Sequence, residues 1–160
     1  MRSLSLTVVL VLVVAVASAQ SIDPLLAAHD TDALELARVV DRVGDAAILA
    51  RLTPETPIAV RALAVVATTR LHAPEDALAP LAEIAAGRDP DLAPRAAQAL
   101  LIIARSLDGA ALDTRERDRA DFTPARQRLT AIAADETARS DIRRAAQLAD
   151  AVLADLAIPL

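Results

Sequence analysis

The sequence predicts an all-α protein built from repeated helix pairs, and three observations support this fold class. No segment alternates apolar and polar residues between turn residues, as a half-buried strand would. The region 74–105 contains two adjacent helical segments, and similar stretches come before and after it. Prolines often directly follow an Asp or Thr, an order typical of the first residues of a helix; these prolines are Pro24, Pro54, Pro90 and Pro124.

Helix boundaries follow from caps, prolines and glycines. Asp32 to Glu35 has the form of a capping box, and apolar residues at helical spacing continue to Gly44, a position that suits a left-handed C-terminal cap. The other predicted helices are 45–52, 54–71 with Thr53 as N-cap, 74–86 ended by Gly87, 90–105 with Asp89 or Asp91 as N-cap, 124–134 with Thr123 as N-cap, and a last helix capped by Ser140.

Two of these helices have informative polarity. Between Ala96 and Ala104 the only polar residue is Gln98, so this helix must be covered on most sides. The last helix is apolar on one side only, which suits the end of a stack. Its predicted buried stripe is Ile142, Ala145, Ala146, Ala149, Val152, Leu153 and Leu156.

Residues 1–19 have the organisation of a secretory signal peptide. Arg2 supplies a positive charge, Leu4 to Val16 is a compact apolar run, and small residues follow at 17–19. We expect cleavage after residue 19 and a secreted or periplasmic domain of residues 20–160, with no stable membrane insertion after cleavage. An uncleaved membrane anchor is the alternative, although the apolar run is shorter than the roughly 18 residues of a spanning helix.

Composition excludes several functions. The formal net charge is −5, which argues against nucleic acid as a partner because phosphate binding needs a basic patch. Cysteine is absent, so an exported fold must be stable without disulfides. Phe122 is the only aromatic residue, which leaves no stacking platform or aromatic cage. The core must therefore consist of Ala, Leu, Val and Ile.

An internal repeat is the strongest signal after residues 1–19. Leu81 to Ala86 matches Leu129 to Ala134, 48 residues later, and Arg95 then aligns with Arg143. In the other direction Val60-Arg61-Ala62 aligns with residues 94–96 at a shift of 34. The difference between the two shifts is close to the length of the charged segment 106–122, which we interpret as an insertion between repeats.

Three short segments resemble HEAT-like repeats. Asp89-Pro90-Asp91, followed by Arg95-Ala96-Ala97 and Leu100, is similar to the second helix of such a unit, and Pro74 to Leu81 is similar to the first. Val43-Gly44-Asp45 resembles the linker between units. The resemblance implies a short right-handed α-solenoid of antiparallel helix pairs, with about three units. A tetratricopeptide array would also allow the shift of 34, but its aromatic positions are missing.

The same resemblance implies a structural role for three arginines. Arg61, Arg95 and Arg143 would occupy a recurrent position and pair with acids or carbonyls between units, with Asp89 or Asp91 as an acceptor. The alternative is a row of arginines that binds an acidic partner.

The charged insertion allows three interpretations. A solvated loop or short charged helix is the simplest, and a partner-binding loop that uses Arg115, Arg117, Arg119 and Phe122 is the functional one. Phe122 itself fits better as an anchor that holds the insertion against the stack. A calcium loop is the third, but the acid spacing does not fit and the interleaved arginines would compete; the acids are Asp108, Asp113, Glu116, Asp118 and Asp121.

Catalytic and metal chemistry have little support. His29 and His72 are the only histidines, and no nucleophile pattern accompanies either one. A metal site needs several converging ligands, for which only carboxylates remain. Phosphate-binding glycine loops, nucleophile elbows and redox pairs are also absent. The sequence therefore predicts no metal, no cofactor and no enzyme.

The function expected from the sequence is an exported, non-catalytic protein–protein interaction module. Its partner would be a protein or peptide outside the cytoplasm. One alternative is a structural envelope protein held by an uncleaved N-terminal helix. Another is a non-catalytic subunit of an exported enzyme.

Overall fold

The computed structural model describes residues 33–109 and 121–156. These ranges contain seven α-helices and no strand, which confirms the all-α prediction for them. The helices are α1 (Ala33–Val43), α2 (Asp45–Leu49), α3 (Ile58–Ala67), α4 (Leu78–Ala86), α5 (Leu92–Gly109), α6 (Thr123–Ala134) and α7 (Ser140–Leu156). Short 3-10 segments extend α2 at Ala50–Leu52, extend α3 at Thr68–Arg70 and precede α4 at Pro74–Ala77. The predicted signal peptide and the Asp32 cap lie outside the described residues.

Helix α5 is the centre of the packing. It contacts α4, which precedes it, and it also packs against α3 and α7. The predicted cover on most of its sides is confirmed, because Ala96, Leu100, Ile103 and Ala104 are all almost fully buried. Helix α6 packs against α7, and α4 packs against α6. Each of the two pairs α4–α5 and α6–α7 therefore contacts the other through both of its helices.

The N-terminal helices α1 and α2 pack against α3. Helix α1 contacts α3 and the 3-10 turn that follows it. The helical spacing of apolar residues predicted for α1 is confirmed, since Leu36, Val39 and Val40 are buried on one side of the helix. Ile48 of α2 is also fully buried. One continuous core therefore runs from α1 to α7.

The start of α5 agrees with its sequence signal. The Asp89 carboxylate accepts hydrogen bonds from the amides of Asp91 at 3.0 Å and Leu92 at 2.8 Å. The Asp89 carbonyl accepts a bond from the Ala93 amide at 3.1 Å. Asp89 is therefore the N-cap, and the alternative placement of the cap at Asp91 is wrong. Helix α5 also ends later than predicted, at Gly109, so residues 106–109 belong to it and not to the insertion.

Three other predicted caps are wrong. The Thr53 carbonyl accepts a bond from the Thr56 amide in a separate turn, and Pro57 holds the cap position of α3. Phe122 holds that position in α6. The Arg139 carbonyl accepts the bond from the Arg143 amide, which makes Ser140 the first residue inside α7. In each case the helix begins close to the predicted site, but another residue caps it.

The two glycines at helix ends differ in conformation. Gly44 has φ 82° and ψ 155°, so the predicted positive φ is confirmed, but the ψ value lies outside the left-handed helical region. Gly87 ends α4 with an ordinary φ of −69°. A Cβ atom at Gly87 would lie 3.0 Å from the Ile84 carbonyl oxygen. Close approach of the preceding turn, and not backbone φ, therefore favours glycine there.

Ion pairs connect α6 to α4 of the neighbouring pair and to α7 of its own pair. The Arg128 Nε of α6 donates to Glu83 Oε1 of α4 at 2.7 Å. The Arg126 Nε of the same helix donates to Asp150 Oδ1 of α7 at 3.0 Å. Both ion pairs are partly or well exposed. We therefore expect each one to help fix the relative orientation of its two helices and to add little to the free energy of unfolding.

Candidate protein-binding surface

The predicted partner-binding residues of the insertion separate into two groups. Arg115, Arg117 and Arg119 lie outside the described residues, and their predicted role stays a prediction. Phe122 is only 5% exposed and belongs to the hydrophobic core. A ring buried to this extent offers no surface to a partner, so its burial contradicts the partner-binding assignment and agrees with the anchor.

The three aligned arginines do not share one environment. Arg95 is exposed, whereas Arg61 and Arg143 are half-buried. Their Nε atoms are fully buried without a hydrogen-bond partner in the described part of the chain. Asp89 uses its carboxylate to cap α5. The expected pairing of an arginine with Asp89 is therefore absent from residues 33–109 and 121–156.

His72 forms a small charged cluster that the sequence did not reveal. Its Nδ1 lies 3.1 Å from Asp45 Oδ1 and its Nε2 lies 3.3 Å from Asp41 Oδ1. Asp45 Oδ2 also accepts a bond from the Ala73 amide at 2.9 Å. The cluster joins the junction of α1 and α2 to the segment that enters α4. The hydrogen bond to Asp45 and the nearby negative charges raise the pKa of His72.

Asp45 responds in the opposite direction. Burial raises the pKa of its carboxyl group, but the hydrogen bonds from Ala73 and His72 outweigh that effect and hold the pKa below its ordinary value. His72 is 70% exposed. The described residues contain no group of three His, Cys, Asp or Glu side chains that could hold a metal ion.

One large apolar side chain is exposed on each of three helices, and the middle helix contacts the other two. Ile58 is 54% exposed, Ile102 43% and Leu148 41%. They lie on α3, α5 and α7, one on each helix, and α5 contacts both of the others. No large apolar side chain of α4 or α6 is exposed to this degree in the described ranges. We refer to the exposed surfaces of these three helices collectively as the α3/α5/α7 face.

Exposed residues on α5 and α7 form two helical stripes. The stripe on α5 contains Arg95, Gln98, Ile102 and Arg105, and the stripe on α7 contains Arg144, Gln147, Leu148, Ala151 and Asp155. Successive positions in each stripe are separated by one to four residues, so each stripe lies along one side of its helix. Both stripes combine apolar and positively charged side chains.

A separate groove lies between the ends of α4 and α6 and the starts of α5 and α7. It has a volume of about 680 Å³ and separates the loop 87–91 from the loop 135–139. Its arginines are largely engaged, because Arg128 pairs with Glu83 and Arg139 donates to Asp141 at 2.8 Å. Asp135 accepts bonds from the amide and hydroxyl of Thr137. The hydrogen bonds from Thr137 lower the pKa of Asp135, and the charge of Arg88, which also lines the groove, adds to this effect.

Sequence reasoning missed the stripe on α5. The sequence predicts that this helix is covered on most sides, because Gln98 is the only polar residue between Ala96 and Ala104, and that prediction does not identify Ile102 as exposed. The available signal was the spacing of Arg95, Gln98 and Arg105, which places three polar residues and Ile102 on one side of the helix.

Two further findings concern the described helices and the comparison with known proteins. Among residues 33–109 and 121–156, no helix combines the length and apolarity needed to cross a bilayer. No protein-family model, curated protein or solved structure matches the chain.

Proposed function

We propose that this chain is a non-catalytic protein-interaction module, exported by means of residues 1–19, and that its α3/α5/α7 face binds a protein outside the cytoplasm. The single observation that carries the proposal is the distribution of exposed Ile58, Ile102 and Leu148, one on each helix of that face. Contiguous exposed apolar patches mark interaction sites, and we infer that these three side chains contribute to one such patch.

Packing supports the solenoid part of the proposal. In a stack of helix pairs, the first helices of successive pairs contact each other, and so do the second helices. Here α4 contacts α6 and α5 contacts α7. We infer a HEAT-like α-solenoid in which α3, α5 and α7 are the second helices of three units. Such a row of helices offers a long surface on which contacts are shared among repeats.

The proposal is tested by affinity capture from an envelope fraction with the mature chain, residues 20–160. A captured protein then has to bind the purified chain at a fixed ratio in calorimetry. The variant Ile102→Ser with Leu148→Ser is expected to weaken that binding by about tenfold or more, because central apolar anchors dominate interface energies. Far-ultraviolet circular dichroism checks that this variant remains helical.

Two control variants locate the site. Ala79→Ser with Ala131→Ser changes exposed positions of α4 and α6 and is expected to leave binding unchanged. Deletion of residues 111–119 tests Arg115, Arg117 and Arg119. Binding that survives the Ile102 and Leu148 changes but is lost with the deletion would transfer the site to the insertion. Failure to find any partner that binds the purified chain contradicts the interaction module and favours a structural envelope role.

The proposed export and cleavage of residues 1–19 are tested separately. N-terminal sequencing of the chain recovered from a secreting host is expected to begin at Gln20. Recovery of the intact N-terminus in the membrane fraction would favour the uncleaved anchor.

A further inference from the structure

We infer that the groove between the loops 87–91 and 135–139 is a second binding site, and that its ligand is a short acidic peptide segment of a partner protein. The inference goes beyond the proposed function, because Ile58, Ile102 and Leu148 of the α3/α5/α7 face do not line this groove. Two features of the groove support it: an apolar floor, and arginines at the rim that keep hydrogen-bond donors without a partner.

The floor of the groove consists of apolar residues that the fold already buries almost completely. They are Ala85, Ala93, Ile132 and Ile142, each at most 5% exposed. The groove volume of about 680 Å³ lies within the range of roughly 300–1,000 Å³ that is typical of ligand sites, which are mostly apolar with a few polar groups. The floor therefore offers a place for an apolar side chain of a ligand.

Three exposed arginines form the positively charged part of the rim: Arg88, Arg128 and Arg139. They come from three segments of the chain, since Arg88 follows α4, Arg128 lies within α6 and Arg139 precedes α7. Arg88 makes no hydrogen bond or ion pair with the described residues, and it acts on Asp135 only through its charge. Arg88 is therefore the arginine with the most donors available to a ligand.

The other two arginines use only one edge of the guanidinium group. Arg128 donates to Glu83 through Nε and Nη2, and Arg139 donates to Asp141 through the same two atoms. A guanidinium carries five N–H groups, so Nη1 of each arginine has no partner among the described residues. Glu83 and Asp141 do not line the groove. These ion pairs therefore hold the two arginines at the rim and leave donors for a ligand.

The carboxylates of the groove are already hydrogen-bonded within their own loops. Asp89 Oδ1 accepts bonds from the amides of Asp91 and Leu92. Asp135 Oδ1 accepts bonds from the amide and the hydroxyl of Thr137. Helix dipoles add little net charge, because the negative ends of α4 and α6 lie near the positive ends of α5 and α7.

Charge complementarity therefore favours a ligand with carboxylates. Arg–carboxylate pairs are among the stronger and more directional polar contacts. A cationic ligand would lie next to the three arginines of the rim, and such like-charge contacts select against it.

A peptide matches the different depths of the floor and the rim. In an extended peptide, neighbouring side chains point to opposite sides. An apolar side chain can thus enter the floor while the acidic residues on either side of it stay at the level of the arginines. We therefore expect a ligand sequence in which one apolar residue lies between acidic residues.

The test uses end-blocked peptides of about six residues, roughly 20 Å long when extended, with one leucine flanked by glutamates. Gln replaces Glu in a second peptide, and Ser replaces Leu in a third. Binding to the mature chain, residues 20–160, is followed by backbone NMR chemical shifts, which also locate the site. The first peptide is expected to bind at least about tenfold more tightly than the other two, with the largest shifts in the loops 87–91 and 135–139.

Arg88→Gln is the principal variant, because it breaks no ion pair within the described part of the chain. It is expected to weaken binding of the first peptide by about tenfold. Arg105→Gln is the matched control, since it removes the same charge from an exposed position near the opposite end of α5. The control is expected to leave peptide binding unchanged.

A second pair of variants tests the groove itself. Ala131 lines the groove and is exposed, so Ala131→Leu is expected to fill the space without disturbing the core and to abolish peptide binding. Ala79→Leu makes the same change at an exposed position of α4 outside the groove and is expected to have no effect. Far-ultraviolet circular dichroism checks that all variants remain helical.

The outcomes separate this site from the proposed function. Equal binding of the Glu and Gln peptides, equal binding of the Leu and Ser peptides, or no binding at all overturns the acidic-peptide site. Binding that survives both Arg88→Gln and Ala131→Leu also overturns it. Ile102→Ser with Leu148→Ser is expected to leave peptide binding unchanged. A native partner that is lost with those two changes supports the α3/α5/α7 face whether or not the groove binds a peptide.

Discussion

Burial determines what each apolar side chain of α7 contributes to stability. Leu153 is fully buried, whereas Leu148 is 41% exposed on the same helix. The two residues have the same chemistry and helix propensity, so they differ mainly in the apolar surface removed from water and in the cavity that truncation leaves.

We expect Leu153→Ala to lower the free energy of unfolding by about 2–5 kcal/mol, the range for truncation of a buried leucine. Leu148→Ala is expected to cost much less, because its side chain is partly solvated already. Urea titration followed by circular dichroism measures both. Similar losses for the two variants would show that Leu148 is more buried in solution than the structure indicates.

His72 links stability to pH through its contacts with two aspartates. Because Asp45 raises the pKa of His72 in the folded state, protonation favours folding. The contribution is complete below the unfolded value of 6.5 and is lost as pH rises through the higher folded pKa. Stability is therefore expected to fall as pH increases above 6.5, and His72→Gln is expected to remove this part of the dependence.

A proton NMR titration of the imidazole measures the pKa directly. Asp45→Asn is expected to lower the pKa of His72 more than Asp41→Asn does, because Asp45 provides the hydrogen bond and the larger charge effect. An unchanged pKa in the Asp45 variant would contradict the geometry of this cluster.

Helix starts show how far local sequence signals extend at the scale of one element. Asp89 before Pro90 was identified as a cap, and its side chain does accept two amide hydrogen bonds. Thr53 before Pro54 has a similar pattern but closes a separate turn, with α3 beginning five residues later at Ile58. An Asp or Thr followed by Pro therefore predicts a turn near the start of a helix. Which residue becomes the N-cap depends on where the backbone first adopts helical hydrogen bonding.

Removal of the Asp89 cap should therefore be measurable. Asp89→Ala is expected to cost about 1 kcal/mol, the usual value for loss of an N-cap side chain. Asp91→Ala is the matched control, since its carboxylate is exposed and is expected to contribute only through the helix dipole, by a few tenths of a kcal/mol. Equal effects in urea unfolding would mean that Asp89 acts through charge alone.

At the scale of the whole molecule, the centre of packing is α5. It contacts α3, α4 and α7, whereas the main contacts of α1 are with α2, α3 and the 3-10 extension of α3. Amide exchange reports local opening, which requires less free energy where fewer buried contacts are broken. We expect the slowest amide exchange in the middle of α5 and much faster exchange in α1, measured by mass spectrometry. Uniform exchange from α1 to α7 would instead indicate a single cooperative unit.

Most of the helices could be predicted from the sequence, and the proposed binding surface could not. Helices follow from local periodicity, prolines and caps, which are present in the chain itself. The exposure of Ile102 depends on where α3, α4 and α7 leave α5 uncovered, and that is a property of the assembled fold. Phe122 is predicted from the sequence both as a partner contact and as an anchor, and its burial in the core rules out the first of these roles.

The alanine content of the core limits how this protein can change. Fully buried alanines lie at contacts throughout the fold, among them Ala64, Ala67, Ala82, Ala104 and Ala149. Each one allows two helices to approach closely, so even the two extra methyl groups of valine have no free volume to occupy. We therefore expect larger side chains at these buried alanines to destabilise the fold most. Exposed positions of α5 and α7 can change with a much smaller effect on the free energy of unfolding.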